Sequence, residues 1–269
     1  MSLNRILSIV FLIGSIILAY VLINGIKYDI DLEKRISQGE AKIIERLKLI
    51  REAEIVYQEV NGTYTSDWDK LISFIDTGKY YLTEKSEEIV TLEYGADSVI
   101  VTIDTIGVIP AKQRIFEETN YVLAGETGLF IEYLVEEGKN IVINQNVYTF
   151  TKEGRKLTYK ASQEGTIVDI TSKSSGEDVE KGEPLIELKK FKFNPNIDIT
   201  QIPYVPGEKD TKFLIWADEV DKSGVFVDVI EVINPTPVDP SRKEDSEIRN
   251  RKPLRFGSRT DVTTSGNWE

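Results

Sequence analysis

Residues Ile6 to Ile26, "ILSIVFLIGSIILAYVLINGI", form an unbroken apolar run without a charged side chain. No other feature constrains the chain as much. A helix of that length rises about 30 Å, the thickness of a bilayer's hydrocarbon core. Cleaved signal peptides have a shorter apolar region of roughly 7–15 residues and a small-x-small exit. Here the run ends "LINGIKYDI", so it reads as an uncleaved signal-anchor over residues 1–26. The lipid bilayer is therefore the first expected partner.

Charge around the run says little about orientation. Arg5 stands on its amino side and Lys27, Lys34 and Arg35 on its carboxyl side, a slight lean toward a cytoplasmic head. The short tail before the span favours the other layout. The expectation is a single-pass protein of the inner (cytoplasmic) membrane, with most of the chain periplasmic.

Beyond the span, residues 27–76 read as an amphipathic stalk helix followed by a short return helix. Ile43, Leu47, Ile50, Tyr57 and Val60 recur at helical spacing, and Lys42, Glu45, Arg46, Lys48 and Glu52 fill much of the remaining surface. No Pro interrupts the chain up to Asn61-Gly62, which supplies a left-handed residue to end the helix. Ile43, Leu47, Ile50 and Tyr57 are candidate contacts for a helical partner. The competing expectation is that the same stripe packs on the chain's own head.

The segment "REAEIVYQEVNGTYTSDWDKLI" resembles the stalk–head joint of type IV pilins and type II secretion pseudopilins, on Ala53, Tyr57, Asn61, Gly62, Tyr64, Asp67, Leu71 and Ile72. The resemblance implies that Gly62 turns the chain, Tyr64 folds back on the helix end and Asp67 caps a helix holding Trp68, Leu71, Ile72 and Ile75. The prepilin cleavage pattern, Gly before Phe or Met with a Glu soon after, is not found around the apolar run. The layout as a whole also resembles uncharacterised single-pass envelope proteins of Bacteroidota.

After Asp76 the period changes from helical to alternating. "EIVTLEYGADSVIVTIDTIGVIP" reads as two or three strands joined at Gly95-Ala96-Asp97 and near Gly107, with Val99, Val101 and Ile103 on one face. Hairpins are expected at Glu153-Gly154 and at Lys222-Ser223-Gly224. "TGLFIEYLVEEGKN" fits either a helix or a strand. The fold class is thus α+β: a transmembrane helix running into a long amphipathic helix, then an antiparallel β-rich head over residues 77–234, dividing near 120–140. Residues 235–269 read as a Pro-rich, charged tail with seven Lys or Arg and six Asp or Glu from Asp239 onward, and Trp268 as a docking candidate.

"EGTIVDITSKSSGEDVEKGEPLIELKKFKF" resembles the hammerhead of biotinyl and lipoyl carrier domains and of periplasmic adaptor proteins, on Gly165, Gly176, Val179, Gly182, Pro184 and Leu185. It implies a modifiable Lys on a hairpin tip, for which Lys192 between Phe191 and Phe193 is the candidate, and a second Gly-led half following it in the chain. In an adaptor, a long helical hairpin would split the hammerhead.

Composition narrows the chemistry. The chain has neither Cys nor His, which removes thiolate and imidazole catalysis and the commonest metal ligands. A net charge of −12 opposes phosphate-backbone binding, so nucleic acid is not an expected partner. Acidic pairs such as Glu117-Glu118 point to opposite faces of a strand and read as solvated charge. No catalytic residue, metal site or cofactor is expected, and the chain is not expected to be an enzyme. The expected role is a structural or assembly subunit of a trans-envelope secretion, pilus or motility apparatus, as a homo- or hetero-oligomer with other envelope proteins. The alternative is an adaptor-like component of a transport system.

Overall fold

The computed structural model describes the backbone of residues 3–91 and 97–269, and the side chains of residues 11–84, 86, 99 and 101–269. The expected turn at Gly95-Ala96 lies outside the described residues. In chain order the elements begin with helix α1 (Leu3–Asn61), helix α2 (Trp68–Thr77), strands β1 (Lys79–Thr91) and β2 (Asp97–Pro110) and the short helix α3 (Ala111–Phe116). Strands β3 (Glu117–Leu123), β4 (Gly128–Tyr133), β5 (Asn140–Ile141), β6 (Asn146–Lys152), β7 (Arg155–Lys160), β8 (Gly165–Ile170), β9 (Asp178–Val179) and β10 (Pro184–Phe191) come next. Strands β11 (Leu214–Lys222), β12 (Val225–Ile233) and β13 (Arg255–Gly257) complete the chain. The α+β class is as expected.

The chain divides into two compact units with boundaries other than those expected: residues 1–72 with 200–269, and residues 73–199.

In the first unit, α1 is one continuous helix, long and apolar enough to cross a membrane, and every described side chain from Phe11 to Ile30 is exposed. Farther along, the stripe Ile43, Leu47, Ile50, Ala53 and Val56 is fully buried. The C-terminal segment supplies an antiparallel sheet in the order β11-β12-β13, with Val229, Ile230, Val232 and Phe256 buried. Polar side chains tie helix to segment. Arg46 donates to the Gln201 and Tyr204 carbonyls, Arg51 pairs with Glu269 at 2.7 Å, and Arg242 pairs with Glu40 at 2.6 Å. The stretch from Pro235 is therefore part of this unit and not a free linker. Asn267 shows how firmly it is held: its side chain is 3 % exposed, donates to the Pro253 carbonyl at 2.9 Å and accepts from the Arg255 N–H at 3.0 Å.

In the second unit, β3 to β10 form two four-stranded antiparallel sheets, ordered β3-β10-β8-β5 and β7-β6-β4-β9. Val122, Ile141, Ile167, Leu185 and Leu188 of the first sheet and Phe130, Val147, Tyr148, Phe150 and Val179 of the second belong to one buried cluster. Two sheets with facing apolar sides make a sandwich. Exchanging each of β3 to β6 with the strand four places later, β3 with β7 through β6 with β10, turns the first sheet order into the second, so the sandwich is an internal duplication. The residues agree. Gly128 opens β4 as Gly165 opens β8, Gly138 and Gly176 share positive φ, and Ala124 and Ala161 occupy matching positions. Hydrogen bonds repeat too. Ala124 N–H donates to the Glu183 carbonyl and Ala161 N–H to the Gln145 carbonyl, both at 2.8 Å.

Candidate functional site

After Ile50, the helix end and the cap fall on the residues expected to form them. Gly62, at φ 86°, ends α1 with its N–H on the Gln58 carbonyl at 2.8 Å. Asp67 Oδ1 accepts from the Asp69 and Lys70 N–H groups at 2.9 and 3.4 Å and so caps α2. Sequence reasoning missed Glu54. Its side chain is fully buried, Oε2 accepts the Thr65 N–H at 3.0 Å, and Oε1 has no partner among the described residues. Burial pushes the carboxyl up to about 8, with the Thr65 N–H opposing, so burial favours its protonated form. Tyr64 beside it is raised by burial and then by the charges of Asp228, Glu54 and Glu59. These groups hold a turn against a helix; they do not form an open cleft.

Of the stalk candidates, Ile43, Leu47 and Ile50 are fully buried within the first unit. They are not available to a helical partner, because the apolar residues of the unit's own C-terminal segment compete for the same stripe and win without a second chain. Tyr57 is half-buried. Trp268 is also spent internally: the Arg51 guanidinium lies 5.9 Å from its ring centroid, and its indole nitrogen is buried.

Lys192 is not on a hairpin tip. It follows β10 at a bend, its backbone N–H on the Phe116 carbonyl at 2.8 Å and its Nζ on the Arg114 carbonyl at 3.3 Å. The tip that does join the two halves is Lys152-Glu153-Gly154-Arg155, with φ 50° at Glu153 and 76° at Gly154. Lys152 there pairs with Glu126 at 2.7 Å. The duplication explains the misplacement. The expected second Gly-led half precedes the recognised one instead of following it, so Lys192 occupies the place in the second half that Gly154 occupies in the first.

The feature with the clearest capacity for binding is the β1–β2 ribbon. It is a two-stranded antiparallel sheet whose register pairs Lys79 with Pro110 and Thr91 with Asp97. Gly107 does not break it; a bulge between Leu82 and Thr83 absorbs the irregularity, leaving Ile106 as the extra residue. Pairing puts Tyr81 with Val108, Thr83 with Thr105, Lys85 with Ile103 and Glu87 with Val101, so Val99, Val101 and Ile103 form an apolar row along β2 on a face where β1 carries Thr83, Lys85 and Glu87. All of these apolar side chains are exposed, from 46 % at Val101 to 65 % at Ile103 and Ile106. The opposite face carries Leu82, Glu84, Ser86, Ile100, Thr102 and Asp104. At its foot the Arg114 guanidinium lies 5.3 Å from the Tyr80 ring centroid, anchoring the ribbon within its unit. An isolated two-stranded sheet is at best marginally stable in water, and contiguous exposed apolar surface marks interaction sites. Among the described residues no group of three or more acidic side chains is placed to hold a metal ion.

No family model matches the chain, and no curated protein does. Among solved structures, the crystal structure of Kluyveromyces lactis urea carboxylase is similar over 26 % of this chain at 18 % identity, with a TM-score of 0.25. The chain spans 6 % of that protein's length. A likeness at that level says nothing about this chain's role.

Proposed function

We propose that this protein is a membrane-anchored structural or assembly subunit that works through protein–protein contacts, as a component of a trans-envelope secretion, pilus or motility apparatus. The observation that carries the reading is the exposed apolar row along β2 of the β1–β2 ribbon, on a chain with a helix long and apolar enough to cross a membrane. The first unit adds support. A long N-terminal helix held by the returning C-terminal segment gives such a subunit a stalk fixed to its folded part. In this reading α1 spans the inner membrane and the folded units stand in the periplasm. The transport-adaptor alternative called for a helical hairpin between the halves of the hammerhead, and those halves meet at the tight Glu153-Gly154 turn.

A photo-reactive side chain at Ile103, compared with one at Asp104 on the opposite face, tests the proposal in native membranes. Adducts to protein from Ile103 and far fewer from Asp104 are expected. Adducts to lipid alone, or equal yields from both faces, would overturn it. A reporter fused at Asp239 reads the side of the membrane.

A further inference from the structure

The two strands of the ribbon guard their edges differently. Among the described residues β2 has β1 on one side and no strand on the other, so alternate residues point their N–H and C=O groups at an open edge. From Ser98 to Ile103 that strand carries no charge, no Pro and no Gly, and Val99, Val101 and Ile103 are exposed. Such a segment is prone to pair with another strand. In β1, Glu84, Lys85, Glu87 and Glu88 crowd the middle of the strand, a usual guard against edge pairing. The ribbon thus has one guarded edge and one open edge.

The open edge is also self-complementary. β2 pairs regularly from Asp97 to Thr105, where the bulge at Ile106 interrupts it, and the midpoint of that run is Val101. An antiparallel strand of the same sequence, turned about a two-fold axis through Val101, sets Val101 opposite Val101 and Val99 opposite Ile103. It also sets Ile100 opposite Thr102, Ser98 opposite Asp104 and Asp97 opposite Thr105. The only charges in the run, the two aspartates, each meet a hydroxyl residue. Moving the axis to Ile100 sets Asp97 opposite Ile103, and moving it to Thr102 sets Asp104 opposite Ile100. Either shift exchanges a polar pair for a carboxylate against an apolar residue. The same operation on β1 about Ser86 sets Glu84 opposite Glu88, a like-charge pair.

We propose that the occupant of the β2 edge is the β2 strand of a second copy of the chain, antiparallel about Val101. The proposal rests on the assembly reading and names the partner of the ribbon. The strands form one sheet in the order β1-β2-β2-β1, with roughly eight new hydrogen bonds between the two β2 strands. Four strands meet the requirement for stability in water that two do not. The outer edges of the sheet are the charged β1 strands, so the contact is isologous and closes at two copies. Both apolar rows lie side by side on one face, and Asp104 stays on the other. The rest of the unit approaches the ribbon at Leu82 and Ile109, which line a cavity with Arg114 and Glu117. Ile109 is about 12 Å beyond Thr105 along the strand. Residues 92–96, which join β1 to β2, are too few to cross that distance and return, so one ribbon ends short of the body of the other copy's unit.

The chain has no cysteine, so an introduced thiol is unique. The full-length Val101→Cys variant, oxidised in native membranes, is expected to give disulfide-linked homodimers. Opposite residues of an antiparallel pair lie about 4.5–5.5 Å apart between Cα atoms, within disulfide reach, whereas the two copies of residue 99 lie about 13 Å apart. Val99→Cys and Ile103→Cys, separately tagged and co-expressed, should therefore link to each other and not to themselves. Charge tests the register. In the Val101→Cys background, Val99→Lys with Ile103→Lys sets like charges opposite each other, and Val99→Lys with Ile103→Glu sets opposite charges there. The first pair should give about tenfold fewer homodimers than the second. Both pairs remove the same apolar side chains, so the contrast reads strand pairing and not apolar contact. Homodimers from Val99→Cys alone, none from Val101→Cys, or equal yields in the two charge backgrounds would overturn the proposal. Absence of Val101→Cys homodimers with Ile103 adducts to another protein retained would sink the second-copy contact and leave the assembly role standing.

Discussion

Glu54 is a place where one residue departs from what its helix position suggests. It follows Ala53 in a buried stripe, and its carboxyl holds the Thr65 N–H across the turn that ends α1. A carboxyl raised from its ordinary 4.5 to about 8 favours the protonated folded state. Its contribution to stability is full below about pH 4.5 and is lost as pH rises through about 8. Within that window the slope approaches about 1.4 kcal/mol per pH unit. Glu54→Gln keeps an acceptor for Thr65 and removes the titration. Denaturation of the full chain in detergent between pH 5 and 8 should show a falling stability for the wild type, and a variant lacking that component. Parallel curves for the two would refute the assignment. Nothing in the sequence marked Glu54, because one Glu among Arg51, Glu52, Glu54 and Glu59 reads as helix surface until the chain returns to cover it.

At the scale of elements, local signals were legible wherever a residue type has one dominant use. Asn61-Gly62 ends α1, Asp67 caps α2, and both two-residue hairpins fall where Glu153-Gly154 and Ser223-Gly224 placed them, with positive φ at both central residues. The duplication was not legible, and the substitutions say why. Asn144, at φ 68°, stands where the second half has Gly182 at φ 90°, and Asn146 stands where it has Pro184. Asn tolerates the left-handed region, so the backbone repeats while the Gly-x-Pro-Leu signature does not. The two halves also match at their close approaches. A Cβ on Gly128 would sit 2.6 Å from the Thr151 carbonyl oxygen, and one on Gly165 would sit 2.9 Å from that of Lys189. Because the left-handed turn is shared, Gly182→Ala should destabilise the sandwich by about 1–2 kcal/mol, whereas Asn144→Gly should change it by less than about 0.5 kcal/mol. Chemical denaturation decides between this and independent halves, for which the two positions would show no such relation.

For the whole molecule, the units differ in how the chain builds them. The first closes only when residues 200–269 return to α1, which is why the stripe Ile43, Leu47 and Ile50 could be read from sequence as an interface and yet serves as a core. Helical spacing specifies that a face will be covered, not by which segment. The second unit holds a contiguous sandwich: its buried cluster runs from Val122 to Leu188, and its ends meet where Lys192 N–H donates to the Phe116 carbonyl and the Phe116 and Phe193 rings stand edge to face at 6.3 Å. A roughly 80-residue sandwich with its own core is large enough to fold alone. The fragment 116–193, without membrane helix or ribbon, should give a strand-type circular dichroism spectrum and a single cooperative thermal transition. Gly165→Ala and Gly128→Ala should each lower that transition, because both would crowd a neighbouring strand's carbonyl. A fragment that stays unfolded would mean that the sandwich depends on the remainder of the chain, and the duplication would then describe topology without describing an autonomous domain.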